Sequence, residues 1–317
     1  MKRQRPLIIF DTSVILHQIV DLSRDKTGQI INHLTPQQLY ARIEQGVKLY
    51  NSLFFLPGID PRRCDILWAG DSTTGYWRRP WFDEWLRKNP DVVARLREGF
   101  VQDITGEYVP ISPTSRRKNL RIGYKASRDS CPYGKHAKVL INKISQATFF
   151  PGYEADDVAA AALSVFPRRR IFLCTIDTDW LQLVDDRVSW ICMKGFNPQY
   201  RDVAGGMEWF KAAIAKDTKI VQQEFDNLTS LRQIVDWKMF AGDSSDNLPK
   251  GSPREVIDLL NPPEEYNLAF NHDARAMIRD GLIRGKSPLK SLQMQDEAFD
   301  FGLMPSTQPL KFDWSTL

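Results

Sequence analysis

The chain has 317 residues, 42% hydrophobic and 26% charged, with a formal net charge of +4. This is an ordinary globular composition, long enough to bury a core in one large or two modest domains. Four cysteines without C-x-x-C spacing exclude a disulfide scaffold, a zinc ribbon and a thioredoxin motif, and no apolar run approaches the ~20 residues that span a bilayer.

The basic start leads into Leu7–Phe10, an apolar run ended by Asp11. That pattern reads as a buried strand with an acid at its carboxyl end, not an export signal, so a non-secreted, cytoplasmic protein is expected. Thr35–Leu53 is predicted helical, with Thr35 as cap and Pro36 in the first turn. Cys64–Ala69 reads as a second buried strand, followed by Gly70-Asp71. Pro80–Arg97 is amphipathic and aromatic-rich and predicts one helix. Gly99–Arg121 is rich in turn formers, reads as a loop or small insertion, and ends in Arg116, Arg117, Lys118 and Arg121.

Gly134–Thr148 reads as a helix carrying Lys135, Lys138 and Lys143, and Glu154–Val165 as an Ala/Val-rich helix opening on three acids. Ile171–Thr175 is a third strand, leading into Ile176-Asp177-Thr178-Asp179, and Val188–Met193 a fourth. Met207–Ala215, Leu228–Ala241 and Pro253–Leu260 read as helices, followed by a polar helical stretch and a Pro-rich tail. Strands alternating with helices predict an α/β fold: a mostly parallel central sheet flanked by helices, then a helical C-terminal region. The expected division is a core over 1–205, with an insertion expected at 80–122, and a helical region over 206–317. In such sheets the working crevice lies outside the carboxyl ends of the strands, where Asp11, Asp71 and Asp177 should converge.

The acids form five clusters: Asp11; Asp71; Glu154, Asp156 and Asp157; Asp177 and Asp179; Asp243 and Asp246. Converging carboxylates repel one another, and divalent cations relieve that repulsion. Oxygen donors without a partnering His or Cys favour Mg²⁺ or Mn²⁺ over Zn²⁺. Two such ions suit phosphoryl chemistry, flanking the attacking and leaving oxygens. Taken singly, each cluster has a plainer reading. An Asp after a strand is usually a cap, and Asp-Asp at a helix start usually complements the dipole. Asp185-Asp186 reads as a solvated turn. The joint pattern, in order and at strand ends, favours the functional reading.

Other chemistries lack their motifs. No G-x-G-x-x-G follows a strand, and the four histidines form neither H-E-x-x-H nor a convincing triad. Gly281-Leu-Ile-Arg-Gly285-Lys-Ser287 is one residue short of a P-loop and follows no strand. Ile171–Leu181 lacks the final residue and the early position of an aspartyl-phosphate phosphatase motif.

Three segments resemble the 5′-nuclease superfamily: Gly152-Tyr-Glu-Ala-Asp-Asp-Val158, Thr175-Ile-Asp-Thr-Asp-Trp-Leu-Gln-Leu183 and Gly242-Asp-Ser-Ser-Asp-Asn-Leu-Pro249. Phe10-Asp11, Ala69-Gly-Asp71 and Tyr124-Lys-Ala-Ser-Arg128 match more weakly. All occur in the family's order over Met1 to about Leu260, and the small size is most similar to the stand-alone phage ribonuclease H-type 5′-nucleases. The resemblance implies a PIN-like core. It assigns Asp11, Asp71, Glu154 and Asp156 to a first metal, with Asp157 near both ions. Asp177, Asp179 and Asp243 would hold a second, supported by Asp246. It also implies that Lys125 and Arg128 contact the scissile phosphate and that Tyr124 stacks on a terminal base.

About forty residues separate Arg79 from Tyr124, where the family has a short link, so Arg78 or Arg79 is a further candidate for the phosphate-binding set. Arg116, Arg117 and Lys118 are candidates for backbone contact, with Trp77, Trp81 or Trp85 available for stacking. Asn247–Pro253 abbreviates the family's glycine-rich helix–three-turn–helix, which implies altered duplex binding and leaves K⁺ doubtful. The resemblance therefore implies a hydrolase with two Mg²⁺ (Mn²⁺ substituting), a 5′–3′ exonuclease or flap endonuclease. Its substrate would be DNA or RNA–DNA near a 5′ end or junction, in primer removal or repair. A monomer with no membrane partner is expected, acting in the host cytoplasm if phage-encoded. The alternatives are a non-catalytic nucleic-acid-binding module of the same fold and, more distantly, a PIN-type ribonuclease toxin.

Overall fold

The computed structural model describes residues 4–20, 34–52, 59–72, 76–98, 100–102, 107–110, 132–194, 198–217, 219–241 and 267–285. A five-stranded sheet is built from β1 (Leu7–Asp11), β2 (Asp65–Ala69), β5 (Ile171–Thr175), β6 (Val188–Cys192) and β7 (Gln199–Arg201), in the order β2-β1-β5-β6-β7. The first four strands are parallel, and β7 closes the β6 edge antiparallel. The fold is thus the expected α/β architecture.

Alternation along the strands explains why helices cover both faces. Ile8, Phe10, Ile66, Trp68, Phe172 and Cys174 point into one apolar layer. There they meet α1 (Thr12–Ile19), α2 (Pro36–Ser52) and α5 (Pro132–Ile144). Leu7, Ile9, Leu67, Ile171 and Leu173 point the other way, onto α6 (Ala155–Val165) and the helix at His272–Gly285. A third cluster joins Trp190 of β6 to Phe82, Leu181, Phe210, Phe225 and Ile234. It packs α7 (Val203–Ile214), α8 (Lys219–Glu224) and α9 (Ile234–Ala241) beyond the sheet.

Several boundaries differ from expectation. The helix expected over Pro80–Arg97 is two: α3 (Arg78–Lys88) and α4 (Pro90–Glu98). Pro90 lacks an N–H and restricts Asn89, which leaves the helical region at φ −123° and ψ 60°. Within the expected loop over Gly99–Arg121, β3 (Phe100–Gln102) pairs antiparallel with β4 (Tyr108–Pro110). Helix α1 follows β1 directly because the Asp11 carboxylate accepts from the Ser13 and Val14 amides, capping it. α10 (His272–Gly285) carries the start of the P-loop-like run, so residues 281–285 are helical rather than a phosphate-cradling turn. The helix expected over Pro253–Leu260 lies outside the described residues. Among the described residues, no helix is long and apolar enough to cross a membrane.

Candidate active site

The acids at the strand ends form one connected network. Asp11, the last residue of β1, is buried at the cap of α1. Its carboxylate accepts from the Ser13 amide at 2.9 Å and from the Thr175 hydroxyl at 2.8 Å. The same Ser13 donates its hydroxyl to Asp71 at 2.6 Å, so a single serine bridges the ends of β1 and β2. The other Asp71 oxygen accepts the Ala155 amide at 3.0 Å, which ties β2 to the start of α6. Thr175 in turn receives the Asp177 amide at 3.0 Å, and the Asp177 carboxylate accepts from the Asp179 amide at 3.1 Å. Asp11, Asp71, Asp177 and the acids of α6 therefore share one edge of the sheet, as their strand-end positions led one to expect.

Two glycines make this packing possible. A Cβ on Gly70 would lie 2.8 Å from Asn142 Oδ1, and Asn142 donates its amide to the Asp71 carbonyl at 3.1 Å. Gly152 has φ +84°, a left-handed value that an L side chain rarely adopts. Its N–H reaches Ser72 Oγ at 2.9 Å, and its carbonyl accepts the Trp77 amide at 2.7 Å. This turn delivers Glu154 to the cap of α6.

Electrostatics shape the site further. Burial first, then Asp71, and more weakly Asp177, raise the Asp11 pKa from about 3.8 to about 7. The hydrogen bonds from Thr175 and Val14 oppose that rise without cancelling it. Elsewhere side-chain cations meet the acids. The Arg78 guanidinium, 1% exposed, reaches Glu154 at 2.5 Å, Asp157 at 2.8 and 3.0 Å and Asp156 at 3.3 Å. Trp77 Nε1 adds a donor to Asp157 at 3.1 Å. Lys138 reaches Asp71 at 2.9 Å. Lys238, buried on α9, pairs with the buried Asp179. Among the described residues, no three of these acids close on one point at metal-ligand spacing. The donors themselves are all carboxylate oxygens. Together with a buried Asp11 in need of a compensating positive charge, they fit a hard divalent cation.

Arg79 is half-buried at the start of α3. Tyr124, Lys125, Arg128, Arg116, Arg117, Lys118, Asp243 and Asp246 lie outside the described residues. Ser13, Lys138, Lys238 and Asn142 were not singled out from sequence as part of the site. Each meets a partner 58 or more residues away, beyond any local pattern.

No family model matches the chain. A 5′-3′ exonuclease of Mycoplasma pneumoniae is 32% identical over 145 residues, which are 43% of this chain and 44% of that protein. Over that stretch the chain is similar to a 5′-3′ exonuclease. It spans less than half the length of that curated relative. Solved 5′-nuclease structures align over most of the chain at lower similarity. The bacteriophage T5 D15 flap endonuclease, in a pseudo-enzyme–product complex with DNA and metal ions, is 15% identical, covering 88% of both chains at a TM-score of 0.39. T5 5′-exonuclease with bound zinc is 18% identical, covering 89% of both chains at 0.38. The catalytic core of Rad2 in complex with a DNA substrate is 13% identical, covering 97% of this chain and 83% of that one at 0.32.

Proposed function

We propose that this chain is a member of the 5′-nuclease superfamily and a divalent-metal-dependent phosphodiesterase. It hydrolyses DNA or RNA–DNA near a 5′ end or flap junction, in primer removal or repair. The observation that carries the reading is the hydrogen-bonded continuity of Asp11, Asp71 and the start of α6 along the carboxyl edge of the sheet.

In this reading Asp11, Asp71, Glu154 and Asp156 would hold a first Mg²⁺, with Asp157 near both ions. Asp177, Asp179 and Asp243 would hold a second, supported by Asp246. When bound, the two ions supply an activated water and neutralise charge on the attacked phosphate and the leaving oxygen. The chain's own groups set the geometry. Ser13 and Thr175 fix the Asp11 and Asp71 carboxylates, while Asn142 and the Ala155 amide hold Asp71 from behind. Arg78 keeps Glu154 and Asp157 at the mouth of α6. Lys125 and Arg128 take the scissile phosphate, and Tyr124 stacks on the terminal base. Water attacks phosphorus and the P–O3′ bond breaks, leaving a 5′ phosphate and a 3′ hydroxyl.

The test is a side-by-side assay of labelled 5′-flap, nicked, gapped and RNA–DNA substrates with Mg²⁺. Cleavage within a few nucleotides of the 5′ end or junction is expected. Uniform degradation without regard to 5′ structure, or no cleavage of any of them, contradicts the reading.

A further inference from the structure

We propose that Lys138 is a substrate-phosphate contact of this site, with an ammonium that rests on Asp71 in the free protein and passes to a phosphate of the bound strand. The inference rests on the nuclease reading above and adds to it a residue from α5. Lys138 lies in the middle of that helix, and its Nζ is 2.9 Å from Asp71 Oδ2 and 3.4 Å from the Tyr76 hydroxyl.

Among the described residues, Arg78, Lys138 and Lys238 touch the acids of the site, and they differ in access. Arg78 is 1% exposed and Lys238 4%, so each is enclosed by the carboxylates it serves. The Lys138 side chain is 22% exposed, with its ammonium 2.9 Å from Asp71 Oδ2. A lysine there is a compact cation on a four-carbon stem with three rotatable donors, which suits exchange between a carboxylate and a phosphate.

Asp71 does not depend on Lys138 for its hydrogen bonds. Ser13 Oγ donates to the same Oδ2 at 2.6 Å, and the Ala155 amide donates to Oδ1 at 3.0 Å. When the ammonium leaves, the carboxylate keeps a donor on each oxygen, so the move creates no unsatisfied buried group. A divalent ion on Asp71 would compete for that carboxylate and leave the lysine cation beside the incoming phosphate.

The experiment is binding of a fluorescein-labelled 5′-flap duplex in Ca²⁺ across a KCl series, for wild type, Lys138→Gln and Lys138→Arg. Wild-type cleavage in Mg²⁺ is measured in parallel. Gln keeps a donor for Asp71 while removing the charge, and melting curves establish that each variant is folded. If Lys138→Gln is unfolded, Lys138→Met, which keeps the stem, takes its place. The expected result is a slope of log affinity against log salt shallower by about 0.7–0.9 in the neutral variant, or about five- to eightfold weaker binding at 0.1 M than extrapolated from 1 M salt, with the slope retained in Lys138→Arg. Equal slopes in wild type and Lys138→Gln would overturn the proposal and leave Lys138 as a structural partner of Asp71 and Tyr76. The nuclease reading stands in that case if wild type cleaves. A flattened slope without wild-type cleavage supports Lys138 and sinks the nuclease reading, and failure of wild type to bind the flap overturns both.

Discussion

Arg78 and Asp157 meet through two hydrogen bonds, at 2.8 and 3.0 Å, one to each carboxylate oxygen. The same guanidinium reaches Glu154 at 2.5 Å and stacks 4.6 Å from the centre of the Trp77 ring. One buried arginine thus sets a cation against both buried carboxylates at the α6 start.

Removing one partner of a buried charge cluster is costly because the other charges stay behind. Arg78→Ala is therefore expected to lower stability by about 3–5 kcal/mol, read as a shift of the guanidinium chloride unfolding midpoint in chelator. Adding Asp157→Asn to that variant should recover part of the loss. An unchanged midpoint in Arg78→Ala would show that the cluster is open to water and needs no internal cation.

The Lys238–Asp179 pair joins α9 to the 3-10 turn after β5, and both side chains are buried. Lys238→Met and Asp179→Asn should each destabilise, and the double variant should lose less than their sum. A double-mutant cycle in chelator is expected to give a coupling of more than about 0.5 kcal/mol, the usual floor for residues in one ion-pair network. Additive losses would mean that the two helical segments are held by the Phe210–Ile234 cluster alone.

Asp11 sets a pH dependence whose sign follows from its raised pKa. The folded protein holds a proton there up to about pH 7, whereas an unfolded aspartate releases it near 3.8. The stability contribution is fully present below about pH 4, lost as pH rises toward 7, and absent above that. In chelator, Asp11→Asn should therefore gain stability relative to wild type across this window, with a slope of at most about 1.4 kcal/mol per pH unit. Urea unfolding of the two proteins between pH 4 and 8 checks this. A difference independent of pH would show that the Asp11 carboxyl is not protonated in the metal-free fold.

Asp177 reads differently from the buried acids. Its amide and carboxylate shape the turn leading to Asp179, yet a negative charge near phosphate is not needed for affinity. Asp177→Asn is expected to abolish turnover while flap binding in Ca²⁺ stays within a few-fold of wild type. Loss of binding with loss of turnover would assign Asp177 to substrate affinity instead.

What could be read from sequence was local. Leu7–Phe10 and Ile171–Thr175 are apolar runs ended by a polar residue or followed by acids, and the structure places Asp11 and Asp177 at the matching end of the sheet. The contacts that join these ends are nonlocal. Ser13 meets Asp71 across 58 residues, and Arg78 meets Asp157 across 79. No periodicity records such pairings. Helix α1 has no separate sequence signal, because Thr12–Ile19 follows the strand without a loop and the Asp11 cap that starts it also ends β1. The break at Pro90 was visible in sequence but was outweighed by apolar periodicity continuing on both sides of it.

The most direct test of the metal-dependent nuclease reading is cleavage of a 5′-flap substrate by chelator-treated protein, before and after adding Mg²⁺ or Mn²⁺, alongside Asp71→Asn. Wild type should be inactive in chelator and regain junction cleavage with either ion, and Asp71→Asn should remain inactive while still binding the flap. Full cleavage in excess chelator, or undiminished cleavage by Asp71→Asn, would contradict catalysis by metal ions held on these carboxylates.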